Sequence, residues 1–247
     1  MAKYVSKSIS IIMAKKRVVV LSGAVVIVSA LVSACWFRGD AGQKNDTTPY
    51  SVFLEHTISN NWNVEKDVSG DNIPESYILT NGRLTVSQDS DILWQTPPEW
   101  WVDSFELADA TRDGKIDIAL SVWKSGSFGQ SKPFWVTKDD DSVKNHFFVF
   151  GFKEKEIQPI WQSSNLAQPN CSFAFADINN DNLAELLVIE GEYTADFSCY
   201  GKYLAVWSWQ EWGFYNDWRS NSGEYGGKKV QEYINEIENT YREGNGL

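Results

Sequence analysis

The chain reads as an all-β domain built from repeated units and followed by one C-terminal α-helix, and three observations in its 247 residues predict this. Apolar and polar residues alternate along most of residues 51–220, which is the period of a pleated strand. A nine-residue acidic pattern occurs three times, over Asp67–Glu75, Asp109–Asp117 and Asp177–Glu185. A Trp-polar-hydroxyl triplet keeps step with it, as Trp94-Gln95-Thr96, Trp161-Gln162-Ser163 and Trp218-Arg219-Ser220.

Before the domain comes a leader. Residues 1–34 hold Lys3, Lys7, Lys15, Lys16 and Arg17 without an acid, then an apolar run from Val18 to Ala34 that ends in Leu31-Val32-Ser33-Ala34-Cys35. This is the pattern of a secretory signal peptide with a bacterial lipobox, cut before Cys35, which would then carry the lipid. A retained signal anchor is the competing reading, but 17 apolar residues lie at the short limit for a spanning helix. Lys15-Lys16-Arg17 already completes the basic region, so Met13 is an alternative start. Residues 35–50 are polar and without period, as in a flexible tether from membrane to folded domain. Arg38-Gly39-Asp40 spells an adhesion tripeptide there, which short linkers do often by chance.

Cysteine content agrees with export, and the charge points to a need for cations. The chain has 22 basic and 33 acidic residues; removing the five basic ones of the leader leaves 17 against 33, a net of −16 over residues 35–247. Such a surface repels nucleic acid and anionic lipid, so nucleic acid is not an expected partner. With Cys35 lipidated, Cys171 and Cys199 remain as one expected disulfide, clamping the strands that flank the third acidic loop. Two free buried thiols are the alternative.

The acidic nonapeptides carry the most specific chemistry. Each has an acid at positions 1, 5 and 9, a side-chain oxygen at position 3 and Gly or Asn at position 6. Calcium takes six to eight oxygens at about 2.3–2.6 Å, so one tight turn must gather several carboxylates, and alternate residues of a loop do that. Asn72, Gly114 and Asn182 tolerate positive φ, letting the chain curl and offer the carbonyl of position 7. An EF-hand would need a bidentate Glu at position 12, where this chain has Ile78, Leu120 and Val188. Those residues belong to strands, so the loops join strand to strand.

Strands are predicted on both sides of each loop. Trp62 and Val64, Phe105 and Leu107, and Phe173 and Phe175 alternate before the three loops; Ile116, Ile118, Leu120 and the run Leu186–Ile189 follow the second and third. The first two Trp triplets precede the next loop by 15 and 16 residues. The unit is therefore strand, Trp triplet, short turn, Phe-containing strand, acidic loop, apolar strand. Such units cannot bury their own faces and stack into a propeller or similar array. The third triplet has no loop after it, so its strand could close a ring against the segment near Asp67, which would hide exposed edges.

At these residues the chain resembles the FG-GAP and VCBS repeat proteins, architectural relatives of the integrin α-chain propeller. The resemblance covers about residues 60–220 and implies calcium between blade strands, held by Asp67, Ser69, Asp71, Ile73 and Glu75, by Asp109, Thr111, Asp113, Lys115 and Asp117, and by Asp177, Asn179, Asp181, Leu183 and Glu185, with Ile73, Lys115 and Leu183 acting through their carbonyls. The second loop matches the family pattern fully; the other two carry Asn for its glycine. The Phe-Gly and Gly-Ala-Pro boxes of the family are mostly missing, Ser127-Phe128-Gly129 being a lone trace. Some 170 residues supply only three or four blades, so a small or incomplete β-propeller-like domain is expected, with up to three structural calcium ions.

Twelve tryptophans raise a second possibility. Trp100-Trp101 and the run Trp207–Tyr215 would either fill contacts between units or form a platform for sugars or peptides. Catalysis has little support: His56 and His146 sit in no recognisable catalytic arrangement, and the best carboxylate clusters are the loops. After the breaker Asn221–Gly227, residues Val230, Tyr233, Ile234, Ile237 and Tyr241 recur at helical spacing. That narrow face would dock on the β domain or on a partner, so residues 221–247 read as linker and helix. The expected function is a membrane-anchored, calcium-stabilised extracytoplasmic module binding a protein or glycan at the cell envelope; a cell-envelope enzyme acting on glycans or peptides is the alternative.

Overall fold

The computed structural model describes residues 62–128, 133–138, 140–195, 198–225 and 227–236. The expected leader (1–34), Cys35, the tether (35–50), residues 51–61, and Ile237 and Tyr241 of the expected helix lie outside them.

The fold is mostly β. Among the described residues twelve strands run in order: β1 (Trp62–Lys66), β2 (Glu75–Thr80), β3 (Arg83–Gln88), β4 (Asp91–Gln95), β5 (Trp101–Ala108), β6 (Asp117–Ser125), β7 (Val143–Lys153), β8 (Glu156–Gln162), β9 (Asn170–Ala176), β10 (Glu185–Glu192), β11 (Tyr200–Gln210) and β12 (Gly213–Arg219). They form three four-stranded antiparallel sheets, β1 to β4, β5 to β8 and β9 to β12, each contiguous in sequence. A short helix, α1 (230–236), follows. Among the described residues no helix is long and apolar enough to cross a membrane.

Alternation holds where one face is wet and fails where both are covered. In β2 every second residue is buried, Glu75, Tyr77 and Leu79. In β6 and β10 seven consecutive residues are buried, because each lies in a sheet packed on both faces. One apolar cluster joins Tyr77, Leu79, Leu84 and Val86 of the first sheet to Phe105, Ile118, Leu120 and Phe148 of the second. Another joins Ala119, Phe147 and Val149 to Phe173, Leu186 and Val188 of the third. A further cluster joins Leu187, Ile189, Leu204 and Val206 to Val230, Tyr233 and Ile234 of α1. The order is thus sheet, sheet, sheet, helix.

The structure gives the Trp triplet two jobs. Its hydroxyl ends the fourth strand of each sheet by entering the ladder of the third. Thr96 Oγ1 accepts from Leu84 N at 3.1 Å, Ser163 Oγ from Phe147 N at 3.0 Å and Ser220 Oγ from Leu204 N at 3.1 Å. In return Thr96 N, Ser163 N and Ser220 N donate to the carbonyls of the same three residues. The tryptophan reaches the next unit along: Trp94 meets Phe150 at 4.9 Å between ring centroids, Trp161 meets Phe214 at 5.4 Å, and Trp218 meets Tyr225 at 6.2 Å. The C-terminal segment therefore occupies, for the third sheet, the place a following sheet takes for the other two.

Among the described residues β12, the strand of the third Trp triplet, pairs with β11 and β1 with β2, and no closed ring is shown. One expectation changes here. The Cys171 and Cys199 sulfurs stand at disulfide distance with Cα atoms 5.2 Å apart, but they link β9 to the start of β11 and not to its loop partner β10. The link crosses β10 at Gly191, where an added Cβ would lie 2.4 Å from Cys171 Sγ and 2.9 Å from Cys199 Sγ.

Candidate metal centre

All three acidic loops occupy one structural position, between the first and second strands of a sheet. The ninth residue opens the second strand each time and is buried: Glu75, Asp117 and Glu185 are 0%, 2% and 4% exposed. Each buried carboxylate collects backbone N–H groups from the start of its loop. Glu75 Oε2 accepts from Val68 N at 2.7 Å, Asp117 Oδ2 from Thr111 N at 3.0 Å and Glu185 Oε2 from Ile178 N at 3.1 Å.

The first acid ties the turn from the other side. Asp67 accepts from Gly70 N and Asn72 N, Asp109 from Asp113 N and Gly114 N, and Asp177 from Asp181 N and Asn182 N, all at 2.7–3.1 Å. The fifth acid, Asp71, Asp113 or Asp181, accepts from the seventh N–H, that of Ile73, Lys115 or Leu183. Asn72, Gly114 and Asn182 at position 6 have φ of 69°, 84° and 68°, the left-handed conformation their residue types favour. Position 4 is also left-handed, at Gly70, Arg112 and Asn180, which the sequence pattern did not flag.

The loops differ in what they leave unsatisfied. Asp67, Asp71 and Glu75 each bring a carboxylate oxygen within 4.8 Å of the others, and no further triplet of acid, His or Cys does so among the described residues. Glu75 Oε1 and Ser69 Oγ are buried there without a hydrogen-bond partner. An orphaned buried carboxylate oxygen is costly, and a hard cation is the group that fits an all-oxygen donor set of this kind. Gln88 Nε2 bridges the rim, donating to both Asp71 oxygens and to the Ile73 carbonyl at 3.0 Å. The Ile73 N–H bond, with help from Gln88, holds the Asp71 carboxyl below its ordinary range.

In the second loop Thr111 gives both N–H and hydroxyl to Asp117 Oδ2, and burial outweighs them, pushing the Asp117 carboxyl up to about 6. In the third, Asn179 donates through Nδ2 to Glu185 Oε1 at 2.9 Å while its Oδ1 accepts from Asp181 N. Burial likewise raises the Glu185 carboxyl.

The expected aromatic platform divides. Trp101 is buried and Trp100 packs on Phe148 at 5.0 Å, so that pair is core. Trp212 and Tyr215 are exposed at 70% and 42% and meet edge to face at 6.3 Å. Phe134 and Trp135 form a second exposed pair that the sequence reading passed over, since they lie outside any strand period. His146 is core: its ring is buried against Phe148, and burial lowers it to about 4.

A further acid sits where β5 lies against β9. Glu106 Oε2 accepts from Phe175 N at 3.1 Å, and burial pushes its carboxyl up from 4.5 to about 7. A folded-state value above the unfolded one means that its stabilisation is complete below about pH 4.5 and lost as pH rises through about 7. Glu106→Gln keeps an acceptor for Phe175 N and removes the titration. Its melting midpoint at pH 8 is expected to exceed that of the parent, with the gap closing toward pH 4.5; parallel curves would refute this.

Compared with known proteins, the chain matches no family model, no curated protein and no solved structure.

Proposed function

We propose that this chain is a calcium-stabilised β-repeat binding module, propeller-like in its stacking of blades, held outside the cytoplasm by a lipid on Cys35. The unpartnered, buried Glu75 Oε1 beside Asp67 and Asp71 carries the metal part of this reading. Asp67, Ser69, Asp71, Glu75 and the Ile73 carbonyl would hold the ion, and the ion's task there is to neutralise clustered carboxylates and order the turn. The equivalent placement of Asp109–Asp117 and Asp177–Glu185 in their own sheets supports the repeat reading and the resemblance to FG-GAP and VCBS proteins.

Stacking supports the blade comparison as well. β5 lies against β9 and β4 against β8, so equivalent strands of successive sheets adjoin. The binding role rests on the exposed Trp212–Tyr215 pair, which offers apolar faces to a sugar or peptide at the envelope.

Thermal unfolding of the full chain with calcium and then with chelator tests the metal. Extracellular calcium modules bind with dissociation constants of about 0.1–1 mM, and a ligand at a hundred times its Kd stabilises by about 2.7 kcal/mol. A midpoint several degrees higher in calcium is expected, with the gap much reduced in Glu75→Gln. Equal midpoints would sink the assignment. Capture from an envelope extract, compared with Trp212→Ala, tests the binding surface; equal capture by both would remove Trp212 from it.

A further inference from the structure

The third loop already contains a cation, and the second loop supplies it. Arg112, at position 4 of the second loop, extends its side chain to the third loop. Its Nε and Nη2 donate to the Ala184 carbonyl at 3.2 and 3.1 Å, and Nη2 donates to Glu185 Oε1 at 2.9 Å. The pair is largely hidden, with side-chain exposures of 17% for Arg112 and 5% for Glu185. With Asn179 Nδ2 on the same oxygen and Ile178 N on Oε2, both oxygens of Glu185 are engaged.

The first loop is the contrast. There the equivalent Glu75 keeps Oε1 without a donor, and among the described residues no basic side chain is bonded to its carboxylate. One buried ninth-position acid is thus short of positive charge, and the other has a planar, permanently charged guanidinium against it. A divalent ion coordinated by Glu185 would share that carboxylate with the guanidinium at close range, where like charges repel strongly in a poorly solvated site.

We infer that the Arg112 guanidinium is the resident counter-ion of the third loop, so that Asp177–Glu185 takes no calcium in the native chain although its acidic pattern matches the other two. This rests on the proposed reading of such loops as cation sites. It makes the repeats unequal: the first loop depends on metal, while the third is held by a contact that joins the second sheet to the third.

Equilibrium dialysis of the full chain against calcium alone tests it. Arg112→Met, which keeps the aliphatic stem and removes the charge, is expected to bind one calcium per chain more than the parent, and Glu185→Gln added to it should abolish the gain. In the parent background Glu185→Gln should leave the count unchanged. No gain in Arg112→Met, or a lower count in Glu185→Gln alone, overturns the inference. If Arg112→Met folds only when calcium is present, the inference is supported; if it folds in neither condition, the single Glu185→Gln count decides. The two readings separate cleanly. Calcium lost in Glu75→Gln with no gain in Arg112→Met keeps the first loop as a site and rejects the counter-ion; no calcium in the parent but one in Arg112→Met does the reverse.

Discussion

Replacing Tyr233 and Ile234 together by alanine is expected to lower stability by about 4–6 kcal/mol, less than the sum of the single changes because the two side chains share one cluster. Both are buried, and with Val230 they cover Leu187, Ile189, Leu204 and Val206 of the third sheet. Tyr233 adds a polar tie, its hydroxyl donating to the Tyr225 carbonyl at 2.8 Å, and its ring meets that of Tyr225 at 5.2 Å. Without this cover the third sheet exposes a contiguous apolar face, so aggregation should accompany the loss. Urea unfolding measures it. A change below about 0.5 kcal/mol, within the range of ordinary surface substitutions, would mean that α1 is a partner-binding helix and not part of the core.

Reducing the Cys171–Cys199 link, or replacing both residues by serine, should cost about 3–4 kcal/mol on the loop-closure estimate for a sequence separation of 28. The loss should centre on β9 and the start of β11, where the link restrains strands that lie on opposite sides of β10. Hydrogen exchange would show this as faster exchange in the third sheet, with the first sheet unchanged. Identical melting midpoints with and without reductant would show that the two sulfurs contribute no crosslink. Gly191→Ala is a harsh probe of the same place, since its Cβ would also meet the Tyr200 backbone carbonyl at 2.6 Å, so the strands or the link must shift.

Much of the local structure was legible. Acid at positions 1, 5 and 9 fixed each turn, because short-range carboxylate to N–H bonds depend only on residues within the loop. Asn72, Gly114 and Asn182 adopt positive φ for the same local reason. Period-two alternation located β1, β5, β6 and β9, whereas β10 read as a plain apolar run because its burial comes from neighbouring layers. The hydroxyls of Thr96, Ser163 and Ser220 repeated visibly, but their role did not. A strand-ending bond to Leu84, Phe147 or Leu204 spans at least 12 residues and requires the sheet to exist first.

By itself the sequence determined a repeated β unit, the form of its acidic turns and an apolar helical face after Ser220, all properties of residues close together along the chain. Only the tertiary structure decided how the units differ. It stacked three sheets in a row with a helix as the fourth layer. It carried the Cys171–Cys199 link across Gly191, left one oxygen of Glu75 unpartnered, and brought Arg112 to Glu185 over 73 residues. Charge compensation and packing act through space, so three loops of nearly one sequence meet three different neighbourhoods.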